Sequence, residues 1–114
     1  MLPKENRLNQ SAEIEALKRD GELIRGRFFL TLFSGREGKV PSQFAFIVSL
    51  KVSKKAAERN RLKRILREET RLLLKNVKGG FKVLFIIRKE ALATDATLLR
   101  QDLRRVLKEA KILK

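Results

Sequence analysis

One run, Arg59-Asn60-Arg61-Leu62-Lys63-Arg64-Ile65-Leu66-Arg67-Glu68, constrains the fold of this chain more than any other. Wound as a helix at ~100° per residue, it divides into two faces. Arg59, Lys63, Arg67, Asn60, Arg71, Arg64 and Lys75 fall within an arc of about 160°. Leu72, Ile65, Leu62, Leu73 and Leu66 fall in a separate arc of about 120°. The pattern predicts a helix from about Ser53 to Lys75, ended by the Gly79–Gly80 pair. The apolar face needs a sheet or another helix to cover it. The cationic face is unfavourable by itself. Arg59–Lys63 and Lys63–Arg67 are like-charge pairs at i, i+4, each costing roughly 0.2–0.5 kcal/mol, and Arg67–Arg71 continues the series. Glu68 can offset part of this through Arg64 and Arg71, while Glu58 and Glu69 sit toward the apolar side.

Such a ladder makes sense against a polyanion. The whole chain has 28 Lys and Arg against 13 Asp and Glu, a formal net charge of +15. A small domain with that excess repels itself, and nucleic acid is the leading partner class ahead of an anionic membrane or an acidic protein. Neutralised phosphates release counterions, which gives salt-dependent affinity. The arginine fork can hold two phosphate oxygens at once. Asn60, set among the cations, can address a base edge or a 2′-hydroxyl. There is no cysteine and no histidine. Disulfide and thiolate chemistry are thereby excluded, and the commonest general base and zinc ligand are missing.

The rest of the chain reads as one domain spanning residues 1–114, with 43% hydrophobic residues to build a core. Met1 to Gln10 is a polar, basic arm without the apolar segment of a signal peptide. No apolar run approaches ~18 residues, so no spanning helix is expected and a cytoplasmic location is the default. A short helix is predicted over Ser11–Asp20 and strands over Arg27–Phe33, Gln43–Lys51 and Phe81–Ile87. A last helix starts near Thr94–Asp95, with an apolar stripe of Leu98, Leu99, Leu103, Val106, Leu107 and Ala110. The order α-β-β-α-β-α, with room for one more short strand, predicts an α+β fold: helices on a small three- to four-stranded sheet.

Taken together, several segments resemble the bacterial ribonuclease P protein family. These are Leu2-Pro3-Lys4-Glu5-Asn6-Arg7-Leu8, Arg25-Gly26-Arg27, Val48-Ser49 with Lys51-Val52, and Arg59-Asn60-Arg61 followed by Lys63-Arg64 and Arg67-Glu68. The resemblance covers nearly the whole chain. It implies a left-handed βαβ crossover, where patterning alone favours the right-handed one. It implies that Arg59, Asn60, Arg61, Lys63, Arg64, Arg67 and Arg71 bind a catalytic RNA subunit. It further implies that Asn6, Arg7, Ile14, Lys18, Arg27, Phe29, Leu32, Ser49 and Lys51 border a cleft for the single-stranded 5′ leader of precursor tRNA. Hydrolysis would belong to the RNA and its bound Mg2+, with no catalytic or metal-binding residue on the protein and no obligate protein partner. The chain would then be the accessory subunit of an endoribonuclease.

Two departures stand out. The family commonly places aromatic residues toward the leader, where this chain has Ile14, Lys18 and Leu32. Phe29, Phe33, Phe44 and Phe46 are rings that could stack on bases, although a core position is the commoner fate of such residues. The Ser49–Arg59 segment is also one residue longer than the usual pattern, and a glycine common there is replaced near Ser53. On charge and size alone, a ribosome-associated RNA-binding protein is the alternative. A DNA-compacting protein or a protein-only nuclease fits less well.

Overall fold

A computed structural model describes residues 2–114. The elements are α1 (Ser11–Asp20), β1 (Glu22–Arg25), β2 (Phe29–Gly35), β3 (Gln43–Ile47), α2 (Ala56–Leu73), β4 (Phe81–Ile87) and α3 (Ala96–Glu109). Short 3-10 turns occupy Lys4–Asn6, Leu74–Asn76 and Lys89–Ala93. The four strands form one sheet in the order β1-β2-β4-β3. β1 pairs antiparallel with β2, β2 antiparallel with β4, and β3 parallel with β4. The parallel pair needs a crossover between its strands, and α2 supplies it.

β4 lies inside the sheet, which accounts for the unbroken apolar run Val83-Leu84-Phe85-Ile86-Ile87. Alternate residues of the sheet feed two cores. Phe29 and Phe33 of β2, Val83, Phe85 and Ile87 of β4, and Phe44 and Phe46 of β3 pack under α2 and α3. Phe85 stacks on Phe46 at 5.2 Å and meets Phe29 edge-on at 5.5 Å, both favourable ring geometries. On the opposite face, Ala45 and Leu84 are buried with Leu8 and Leu17, while Ile14, Leu32, Ile47 and Ile86 are only partly covered. Among the described residues α1 is the one α-helix on that face, and it is too short to close it.

Two strand bounds need adjustment, and the fourth strand that the sequence left room for is β1. Its Leu23 and Ile24 are too few to show an alternating pattern, and the strand exists because β2 offers it an edge. β2 begins two residues later than expected and runs to Gly35. β3 stops at Ile47, because a turn closed by the Val52 N–H on the Ser49 carbonyl (3.1 Å) redirects the chain toward α2. Ser49 and Lys51 are therefore turn residues.

The β2–β3 loop is pinned against the entry to β4. Gly80 has φ +97°, and a side chain there would collide with the Arg36 carbonyl. Gly35, at φ +107°, lies comparably close to the Gly80 carbonyl. Only glycine tolerates both constraints. At α3, the Asp95 carboxylate accepts the Leu98 N–H at 2.9 Å and caps the helix as expected.

Candidate nucleic-acid interface

α2 buries Leu62, Ile65, Leu66, Glu69 and Thr70. Arg61, Arg64, Arg67, Arg71 and Asn60 are exposed, and Arg59 and Lys63 are half-buried at the margin. The helix is therefore two-faced as predicted, but rotated slightly from the expected split. Leu72, placed in the apolar arc by the wheel, is 52% exposed. Glu69 takes a place in the buried arc instead, because α3 brings arginines to meet it. Its carboxylate, 1% exposed, accepts a hydrogen bond from Arg104 Nε and has Arg100 Nε at 4.0 Å.

The cations differ in how free they are. One Arg59 terminal nitrogen donates to the Ser53 carbonyl at 2.9 Å, tying the helix start to the preceding turn. Arg71 grips Glu68 with two bonds, Nη2 to Oε1 at 2.5 Å and Nε to Oε2 at 3.2 Å. This hydrogen-bonded guanidinium holds the Glu68 carboxyl below its ordinary range, and Arg71 is raised in turn. Glu68 thus stays ionised and partly neutralises Arg71. Asn60, Arg64, Arg67 and Glu68 line an open concavity of about 460 Å³ on the exposed face of the helix.

A second concavity, of about 350 Å³, runs beside β3. β3 is an edge strand, so its outer side is open to other segments. The N-terminal arm takes the first part of that edge: Arg7 bridges Phe44 in parallel, and the Leu8 N–H donates to the Phe44 carbonyl at 2.9 Å. Arg7, Asn9 and Arg67 supply polar walls, and Ile14, Ala45 and Ile47 an aliphatic floor. Arg67 borders both concavities, so the helix face and the groove are continuous.

The expected leader residues are not all available. Arg7 lines the groove, with its Nε donating to the Leu2 carbonyl at 2.8 Å and its terminal nitrogens making no hydrogen bond among the described residues. Asn6 is buried, and its amide donates to the Ser42 carbonyl at 2.8 Å, so it anchors the arm. Phe29 is fully buried under α2 and α3, on the opposite face of the sheet from α1, and is a core residue. Ile14 and Leu32 lie on the half-covered face. Lys18 is exposed beside Glu15 at 3.5 Å. Arg27 caps the Phe28 ring at 5.4 Å. By register, Arg27, Ser49 and Lys51 lie toward the Ile47–Ile87 end of the sheet and Arg7 at the Phe44–Val83 end. The three strand steps from Phe44 to Ile47 put these ends roughly 10 Å apart. Neither Asn9 nor the dual position of Arg67 is signalled in the sequence. The Leu8-Asn9 pair at the arm's end has no periodic pattern, and only the fold brings α2 to the edge of β3. Among the described residues no three Asp or Glu side chains gather into a possible metal site, and no helix is long and apolar enough to cross a membrane.

Comparison with known proteins adds an independent line. The sequence model of the family Ribonuclease P matches residues 2–111. The chain is 38% identical to the "Ribonuclease P protein component" of Synechococcus sp. (strain JA-2-3B'a(2-13)), over 99% of this chain and 87% of that one. It is also 38% identical to the protein of that name from Exiguobacterium sp. (strain ATCC BAA-1283 / AT1b), over 97% and 95%. Among solved structures, the RNase P protein of Thermotoga maritima is similar with a TM-score of 0.80 at 28% identity, covering 90% of this chain and 96% of that one. That of Staphylococcus aureus has a TM-score of 0.85 at 22% identity, covering 97% and 100%, and shares the fold.

Proposed function

The chain belongs to the bacterial ribonuclease P protein component family, and from that premise we propose that it holds two RNA elements on one surface. The exposed face of α2 binds the catalytic RNA subunit through Arg61, Arg64 and Arg67, with Asn60 among them and Arg59, Lys63 and Arg71 at the margins. The groove beside β3 receives the single-stranded 5′ leader of precursor tRNA. The observation that carries this reading is the position of Arg67, which borders both concavities. A strand leaving the RNA-bound face can enter the groove without crossing a neutral surface.

The protein's part is binding and orientation. Cations on α2 neutralise phosphates of the RNA subunit and release counterions. The groove fixes the leader relative to that subunit and so positions the scissile bond. Cleavage itself we assign to the RNA and its Mg2+. The protein lacks histidine, the commonest general base for phosphodiester cleavage, and no step of the cleavage is assigned to its side chains.

The test replaces Arg59, Lys63 and Arg67 with glutamine and measures binding to the RNA subunit across a salt series. Each phosphate deprived of its cation should flatten the log–log salt slope by about 0.7–0.9, so three should flatten it by about 2–3. Thermal melts check that the variant remains folded. A folded variant with unchanged affinity and slope would reject the α2 assignment.

A further inference from the structure

Every aromatic ring of this protein is inside it. The chain has seven phenylalanines and no tyrosine, tryptophan or histidine. Phe29 and Phe85 have no exposed surface, and the others range only from 2% at Phe44 to 9% at Phe46 and Phe81. Phe44 and Phe46 border the groove beside β3, but both rings are held in the core under α2. What the groove offers is aliphatic carbon from Ile14, Ala45 and Ile47, and polar groups from Arg7, Asn9 and Arg67.

Proteins that hold single strands usually combine a cationic track with rings on which bases stack. This surface has the track without the rings. We infer that the groove grips single-stranded RNA by its sugar-phosphate backbone and leaves its bases unstacked, so that base identity contributes little. The inference rests on the proposed leader contact and specifies how that contact works. Arg7 suits such a role: the bond from Nε to the Leu2 carbonyl fixes its plane, and the terminal nitrogens, which make no hydrogen bond among the described residues, can hold a phosphate. Asn9 can both donate to and accept from a 2′-hydroxyl. The floor is too narrow in chemistry to choose among bases, since methyl and branched alkyl groups offer neither hydrogen bonds nor a π-face.

The test uses holoenzyme reconstituted with the RNA subunit and measures binding of three substrates. One carries an ordinary leader, one a leader whose nucleotides over the protein are abasic, and one no leader. A stacked base contributes ~1–3 kcal/mol, or roughly fivefold to 150-fold in affinity. The expected result is that the ordinary and abasic leaders bind within about threefold of each other, below the effect of one stacked base, and both more tightly than the leaderless RNA. The Ile14→Phe variant places a ring at the groove. It should tighten the ordinary leader but not the abasic one. A tenfold or larger loss with the abasic leader on the unaltered protein would overturn the backbone mode while leaving the leader contact standing. Equal binding of the leaderless RNA would instead remove the leader contact, and the inference with it.

Discussion

Glu69 shows how one residue can have a structural meaning that its helix position only half reveals. It sits in the apolar arc of α2 and is buried, yet it is charged. Removing a carboxylate's partner in such a place costs more than removing the carboxylate, because an unpaired buried charge is left behind. Arg104 is about half-exposed, so solvent reduces that penalty. Arg104→Ala should therefore destabilise the protein by about 1–2 kcal/mol in urea titrations. Glu69→Met, which fills the same space without charge, should cost less than Arg104→Ala or even stabilise. The reverse ranking would mean that the ion pair is a net source of stability. Sequence alone located Glu69 on the apolar side but could not supply its partner, 35 residues away.

At the scale of elements, α2 is built against its own stability. Lys63 has cations four residues away on both sides, at Arg59 and Arg67. Lys63→Glu converts both repulsions into i, i+4 attractions, worth roughly 0.2–0.5 kcal/mol per pair. With the two repulsions removed as well, the free protein should gain about 1–2 kcal/mol in thermal or urea unfolding. RNA affinity should fall at the same time, by more than about tenfold at low salt, since a negative charge now faces phosphates. A variant that is both more stable and equally tight would show that this part of α2 does not meet RNA. The bounds of α3 and β4 were legible because each carries a full amphipathic or apolar pattern, while α1, whose apolar face is weak, was bounded by Gly21 at its end. β1 was not, because four residues with two apolar side chains look like any linker until β2 lies beside them.

The whole molecule carries a net charge of +15 on 114 residues, so the folded state concentrates repulsion that the unfolded chain spreads out. Anions that bind the folded form should stabilise it by ordinary linkage. Sulfate should raise the melting temperature above that in chloride of matched ionic strength, by about 4–8 °C for each kcal/mol of binding. Equal shifts in both salts would reduce the effect to screening. The same excess charge made a polyanion the expected partner before any fold was known. The arrangement of that charge was less visible: the helical wheel placed Leu72 at the edge of the apolar arc and Glu69 toward the apolar side, while the fold leaves the first exposed and encloses the second against an arginine of α3.

Periodicity, charge and the absence of cysteine and histidine determined most of what can be said from the chain alone. They pointed to a two-faced helix, a sheet with a buried inner strand and an α+β domain, and made a polyanion the leading partner class, because those properties belong to short stretches of residues. Tertiary structure decided which side chains remain free to act. It spent Asn6 on anchoring the arm, sealed Phe29 into the core, and set Arg67 where helix and groove meet. Those outcomes depend on contacts between segments tens of residues apart, and no local pattern encodes them.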